Sequence, residues 1–230
     1  MTRSPAMMAA LLVVAGVLCA ALIGLGVWQV ERRSWKHALI ARVEARVHAA
    51  PVAAPGPERW PQVTAENDGY RHVVVSGSFR DDAQVFVQAV TARGPGFWVV
   101  TPLASDRGFT VLINRGFVTR RSAPPGGSAR VSGLLRPSEP GGGFLRSNDP
   151  GKDRWYSRDV AAIARARRIG PVAPYFIDAD AGPAGREPVG GLTVVRFPDN
   201  HLVYALTWFA LAAMVAGAAV MLLGQHRRVR

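Results

Sequence analysis

The chain has 230 residues, enough for one ordinary domain with additions. Hydrophobic residues make up 49% and charged residues 19%, a balance too apolar for a disordered chain and poor in charge for a soluble one. The net charge is +12, all but two of the 28 basic residues are Arg, and the single cysteine, Cys19, rules out an intramolecular disulfide and a cysteine-based metal site.

No charge occurs between Arg3 and Glu31, and residues 6–28 are all apolar or small. About 20 helical residues at 1.5 Å each cross a hydrocarbon core of about 30 Å. Residues 6–30 are therefore expected as a first transmembrane helix behind a short cytoplasmic N-terminus, 1–5. The run exceeds a signal-peptide core, basic residues follow it directly, and Cys19 follows Leu18 rather than a small residue, so it reads as an uncleaved anchor.

Residues 31–49 continue as helix, with Trp35, Leu39, Val43 and Val47 forming one apolar stripe that is expected to pack on the domain that follows. Pro51, Pro55, Pro57 and Pro61 make 50–62 a stiff linker. Strands are expected over 70–79, 84–90, 97–103 and 109–118. Turns at Asp81-Asp82, Gly94-Pro95-Gly96 and Asp106-Arg107-Gly108 join them into an antiparallel meander. A further strand is expected over 130–136, a mobile connection at Gly141-Gly142-Gly143, a helix over 153–168, and short strands at 175–177 and 192–196. Val75-Ser76-Gly77 and Val131-Ser132-Gly133 look alike, each a strand interrupted by glycine as at a bulge.

From Leu202 to Gly224 the chain is again uncharged, giving a second transmembrane helix over 202–224 and a basic cytoplasmic tail, 225–230. Arg227, Arg228 and Arg230 argue for a cytoplasmic C-terminus, and two spans bring the N-terminus to the same side. Arg32, Arg33 and Lys36 beyond the first span point the other way; the hairpin reading is retained. The expected fold class is a membrane protein, two transmembrane helices flanking an α+β, mainly antiparallel-β extracytoplasmic domain over 31–201.

Several chemistries are absent. All five Met lie at the start or in the spans, so the outer domain holds neither Cys nor Met, the soft ligands a copper carrier needs. No HExxH, GxSxG or P-loop pattern occurs. The acidic residues fall on expected loops and turns with no pair across a cleft. No enzyme is expected, and no nucleic-acid partner, because the basic domain lies outside the membrane.

One junction carries a ligand pattern. In Asp199-Asn200-His201-Leu202-Val203-Tyr204-Ala205-Leu206-Thr207-Trp208, Asp199 or Asn200 caps the second span and His201 stands in its first turn at the outer interface. At helical spacing His201, Tyr204 or Ala205, and Trp208 share one face, an imidazole above an aromatic strip suited to a porphyrin whose iron takes a ring nitrogen. Plain membrane anchoring explains Tyr204, Trp208 and Trp28 as well. Gly26 and Gln29 suit contact with a partner helix, and His37 lies two turns further out.

With these residues in hand, the chain resembles the surfeit locus protein family of cytochrome c oxidase assembly factors over nearly its full length. The matching pieces are Gly26-Val27-Trp28-Gln29 with Arg32 and Trp35-Lys36; the strands holding Gly77 and Gly133; Gly96-Phe97-Trp98-Val99-Val100-Thr101-Pro102-Leu103; Val111-Leu112-Ile113-Asn114-Arg115-Gly116-Phe117-Val118; Asn148, Trp155-Tyr156 and Asp159; and Asn200-His201 with Tyr204, Trp208 and Phe209. Phe117 stands where the family commonly has Trp. The resemblance implies an accessory factor that binds haem a transiently and assists its insertion into the large catalytic subunit of a haem–copper oxidase. His201 is then the axial ligand of the haem iron, with Tyr204, Trp208 and Trp28 around it and Arg32 toward the propionates. Haem a synthase and the lipid bilayer are the other implied partners; a cofactor-free membrane chaperone is the second reading. The first span follows Met1 almost at once, without an Arg- and Ser-rich leader, so a bacterial inner membrane is expected, with the main domain in the periplasm.

Overall fold

Uninterrupted apolar sequence makes helix at both ends, because no proline within the runs and no strict alternation competes with the i→i−4 ladder. The computed structural model describes residues 5–143, 145–193 and 199–228. Helix α1 spans Pro5–Val47 without a break. There follow β1 (Val52–Ala53), α2 (Ala65–Asp68), β2 (His72–Phe79), β3 (Val85–Thr91), β4 (Gly94–Ser105), β5 (Thr110–Val118), β6 (Ser128–Pro137), α3 (Val160–Arg167), β7 (Val172–Ala179) and α4 (His201–Arg228). Arg3, Arg230, the side chains of Arg227 and Arg228, and 194–196 of the last expected strand lie outside the described residues.

Helices α1 and α4 are each long and apolar enough to cross a membrane, and they flank the β-rich domain. They leave Val13, Val17, Leu206 and Met221 exposed, as lipid-facing side chains must be. The residues of the stripe beyond the first span differ in exposure. Val43 is buried, whereas Trp35 is 55% exposed and lies under the Arg32 guanidinium, 5.0 Å from its ring centre.

The β-rich domain, 43–195, is a mixed sheet in the order β1-β2-β6-β7-β5-β4-β3, closed by a further pairing of β2 with β4. The ring β2–β6–β7–β5–β4 is thus a small barrel, with β1 and β3 as outer strands. Two expectations are corrected here. The meander holds only for β3–β4–β5. β2 does not pair with β3; its last residues, Gly77 to Phe79, pair with Ser105 to Leu103 of β4, because the 3-10 turn Asp81–Ala83 carries the chain off the ring before β3 begins. And β5 runs parallel to β7, a neighbour that arrives through α3 rather than through a hairpin.

Gly77 and Gly133 are not bulges either. A Cβ on Gly77 would stand 2.1 Å from the Ala104 carbonyl oxygen and one on Gly133 2.2 Å from that of Asp178. Both glycines mark points where β2 and β6 pass closely over a second neighbouring strand as the barrel closes. The register shifts fall instead at Val99/Val100 and at Thr110/Leu112.

Alternation sorts side chains into two cores. Val73, Val75, Val111, Ile113, Tyr175 and Ile177 fill the barrel with Leu103, Phe109 and Leu135. The intervening Leu112 and Phe176 point outward and, with Val85, Val87 and Val100, receive Trp155, Val160 and Ile163 from the α3 segment. The proline-rich stretch docks on the first core. Ala54 is buried, Trp60 meets Phe109 edge-on at 6.0 Å, and the Trp60 indole (3.1 Å) and Tyr175 hydroxyl (2.6 Å) both donate to the Pro55 carbonyl.

The helix expected from Asp153 starts at Val160, because Asp159 caps it by accepting the Ala162 N–H at 3.0 Å and Asp153 is held at φ 50°. The acidic residues are also not confined to loops. Asp178 lies on β7, 5% exposed, and accepts from Asn114 (2.7 Å), Thr193 (2.9 Å), Arg136 (3.0 Å) and Arg158 (3.0 Å).

Candidate functional site

The site predicted around His201 is built by the two apolar helices, within the unit formed by residues 1–42 and 196–230. Gly26 makes room for a side chain of the other helix: a Cβ there would stand 2.4 Å from a Phe209 ring carbon. Along the same seam Cys19 donates to the Ala212 carbonyl at 3.7 Å, and Leu22, Ala205 and Ala212 are buried. Small residues at a helix seam let backbones approach where no hydrophobic driving force acts in lipid. On α4 the inward face is therefore His201, Ala205, Trp208 and Ala212, at steps of four, three and four. Tyr204, one of the two alternatives left open by spacing, is 54% exposed, and Ala205 takes the inward place.

Past the apolar part of the seam the facing groups become polar. Gln29, Arg33 and His37 recur every four residues on α1 and meet the first turn of α4. The Gln29 side-chain oxygen lies 2.7 Å from His201 Nδ1. That oxygen only accepts, so Nδ1 carries the proton. His201 Nε2 takes no partner among the described residues. Asp199 is the cap, accepting the His201 backbone N–H at 3.1 Å. Its other oxygen meets His37 Nε2 at 2.7 Å and Arg33 Nε at 3.6 Å. The hydrogen bond from His37, then that from the His201 N–H, together with the charges of His37 and Arg33, hold the Asp199 carboxyl below its usual range against a small opposing effect of burial.

The predicted residues are thus distributed unevenly. His201 and Trp208 face the seam. The Trp208 indole nitrogen is buried without a hydrogen-bond partner among the described residues, an unsatisfied donor on the same face as His201. Trp28 is 50% exposed. Arg32 stacks on Trp35, and the arginine facing Asp199 is its neighbour Arg33. His37, two turns out, joins His201 through Asp199. Sequence reasoning overlooked Arg33, and it treated Gln29 only as a packing residue. The four-residue recurrence of Gln29, Arg33 and His37 was the available signal.

The donor set fits one kind of metal guest. Among the described residues no group of three or more His, Cys, Asp or Glu side chains is placed to hold a bare ion. A porphyrin brings four ligands of its own and asks the protein for one axial nitrogen. His201 offers that nitrogen in the form common to metal-binding histidines, with the opposite N–H anchored. Elsewhere, Arg115 and Gly116 make contacts that shape the β-rich domain. Arg115 lies over Phe79 and contacts Asp81 and Gln84. Gly116, at φ 128°, admits the Val189 backbone, which a Cβ would meet at 2.3 Å.

Comparison with known proteins gives a consistent result. The model of the SURF1 family matches residues 16–213. Surfeit locus protein 1 of Mus musculus is 36% identical over 217 residues, covering 83% of this chain and 68% of the relative. That of Homo sapiens is 36% identical over 218 residues, covering 83% and 70%. A SURF1-like protein of Drosophila melanogaster is 30% identical over 218 residues, again covering 83% and 70%.

Proposed function

Because the chain belongs to the SURF1 family, we propose that it is an accessory factor of cytochrome c oxidase biogenesis that carries haem a on His201 and assists its insertion into the large catalytic subunit. The cargo's iron takes an axial nitrogen. The observation that supports this reading is the His201–Gln29 hydrogen bond of 2.7 Å, which holds Nδ1 and leaves Nε2 to ligate. The exposed ring of Tyr204 and that of Trp28 offer apolar surface beside the outer end of the helices, and Arg32 and Arg33 offer cations for the two propionates. A carrier has to release its cargo, and one protein ligand at the rim of a seam holds haem less firmly than a closed pocket with two.

In the same proposal the protein is a two-span component of a bacterial inner membrane, with residues 31–201 in the periplasm and both short ends in the cytoplasm. It performs no catalysis; its partners are the oxidase subunit, haem a synthase as the source of cargo, and lipid. The test is the absorption spectrum of protein purified from cells that make haem a. Wild type is expected to show haem bands, and His201→Ala to weaken them. Unchanged bands in that variant would remove His201 from the role. Haem-free wild type would instead favour a chaperone that clamps an oxidase intermediate without touching the cofactor.

A further inference from the structure

Among the described residues of the β-rich domain, two large apolar side chains stand almost fully in water: Val90 at 87% exposure and Leu145 at 88%. Val90 lines one open groove of about 730 Å³ together with Gln88, Phe97, Gly143, Arg146 and Tyr156, and Leu145 stands in the chain between two of these, Gly143 and Arg146. Single exposed aliphatics are ordinary; two beside one concave, partly aromatic surface mark an interaction site.

The groove runs along the outer edge of β3, which is bridged to Trp155 at Val87 and has no further bridge beyond it among the described residues. β3 is the last strand in the sheet order, with β4 on its inner side. Gln88 faces Phe97 and Val90 faces Pro95. The Gln88 N–H turns away from β4 to the Trp155 carbonyl, 2.8 Å away. Two residues on, the backbone N–H and C=O of Val90 point the same way, and Pro95 opposite has no N–H to offer in any case. Neither Val90 group has a partner among the described residues. Natural proteins usually blunt such an edge with charge or a cover; this one displays an aliphatic side chain.

The opposite bank is a tight turn. Gly143 N–H donates to the Arg146 carbonyl at 2.8 Å and Arg146 N–H to that of Gly143 at 3.1 Å, which holds Leu145 outward at φ 56°. That is an unfavourable conformation for a leucine. Arg146 spans the groove, 5.5 Å over the Tyr156 ring and 3.3 Å from Gln88 Oε1. Neither Arg146 nor Arg93, at the turn between β3 and β4, forms a salt bridge among the described residues.

The geometry points to a docking surface for an extended segment of a partner protein that carries aliphatic side chains and a carboxylate. The segment lies along β3 and hydrogen-bonds the Val90 N–H and C=O. Its aliphatic side chains cover Val90 and Leu145, and its carboxylate accepts from Arg146 in place of the neutral Gln88 amide. The charge of the occupant follows from Arg146, which lines the groove and forms no salt bridge among the described residues. The surface is independent of His201 and of any cargo.

Full-length protein in detergent is titrated into two fluorescently labelled, capped pentapeptides, one alternating valine with glutamate and one alternating valine with lysine, and anisotropy is read. The acidic peptide is expected to bind at least tenfold more tightly. Arg146→Glu and Leu145→Asp are each expected to weaken it about tenfold, with thermal melts confirming the fold. Arg146→Gln serves if the charge reversal fails to fold. Val90→Pro, which removes the outward N–H and leaves the β3–β4 ladder intact, is expected to weaken it several-fold, an effect that bulk charge attraction does not produce. Equal binding of the two peptides, or wild-type affinity in all variants, overturns the proposal. So does concentration-dependent dimerisation abolished by Leu145→Asp, which makes the occupant a second copy of this chain.

Discussion

Replacing Asp178 with Ala removes the shared acceptor of four donors at once. The carboxylate is 5% exposed, and it receives Arg136 and Arg158 at 3.0 Å each, Asn114 at 2.7 Å and Thr193 at 2.9 Å. The two cations fare differently after the change. Arg158 keeps Glu139 at 2.6 Å, while Arg136 keeps it only at 3.9 Å. Orphaning one member of a buried ion pair costs about 3–5 kcal/mol. The part-exposed Arg136 side chain, at 18%, places this case at the low end. The unmatched Asn114 amide adds about 1 kcal/mol, so the loss is expected near 4 kcal/mol, a large fraction of the roughly 5–15 kcal/mol of an ordinary domain. Urea unfolding of the full-length protein in detergent reads it, through the fluorescence of the fully buried Trp155. The midpoint should fall with an unchanged slope. Adding Arg136→Met to the Ala variant should recover part of the loss, since the unpaired cation is then gone. A loss under about 1 kcal/mol, or no recovery in the double variant, would refute the claim that burial makes this network costly to break.

Three further outcomes are expected. Ring nitrogens of His72 meet the Ala49 carbonyl at 3.0 Å and Asp180 at 2.8 Å, both acceptors. Burial opposes the charged ring, but the hydrogen bonds to Asp180 and Ala49 and the charge of Asp180 outweigh it and raise its pKa above 6.5. The folded state therefore holds the proton more tightly than the unfolded one, so this contribution is complete below 6.5 and fades as pH rises through the folded value. Unfolding midpoints measured from pH 5 to 9 (about this range spans the histidine titration) should fall more steeply for wild type than for His72→Gln. Gly133→Ala should destabilise by about 1–3 kcal/mol or prevent folding, because the atom its Cβ meets at 2.2 Å is backbone; a denaturation midpoint equal to wild type would count against the close strand passage. On the proposed role of His201 as haem ligand, Gln29→Leu should speed haem loss to a scavenger protein by about 10-fold or more, and an unaltered loss rate would show that anchoring Nδ1 is immaterial.

Much of the architecture followed from local pattern. Residues 6–28 and 202–224 are apolar without interruption, and no neighbour is needed to decide that such runs are helices too greasy for water. The strands β3, β4 and β5 were legible because alternation and Gly-containing turns are both read within ten residues or so. His201 was legible as a candidate because a lone imidazole at the head of an apolar helix stands out from its surroundings.

What the chain could not disclose locally is who sits beside whom. Whether β2 joins β3 or closes a ring with β4 and β6 depends on contacts across many residues of sequence, and so does the use of Gly77 and Gly133 as crossing points rather than bulges. The same holds for Asp178, which looks like any acidic residue near a turn until β5, β6 and β7 bring four donors to it. At the candidate site, the sequence by itself supplied His201, but only the packing of α1 on α4 selected Ala205 over Tyr204 for the inward face, and Gln29 and Arg33 over Arg32 as its polar neighbours. Helical and strand periodicities belong to short stretches of backbone and survive in one dimension; pairing, register and hydrogen-bond partners are set by which distant surfaces bury each other best, and that is decided only when the chain has folded.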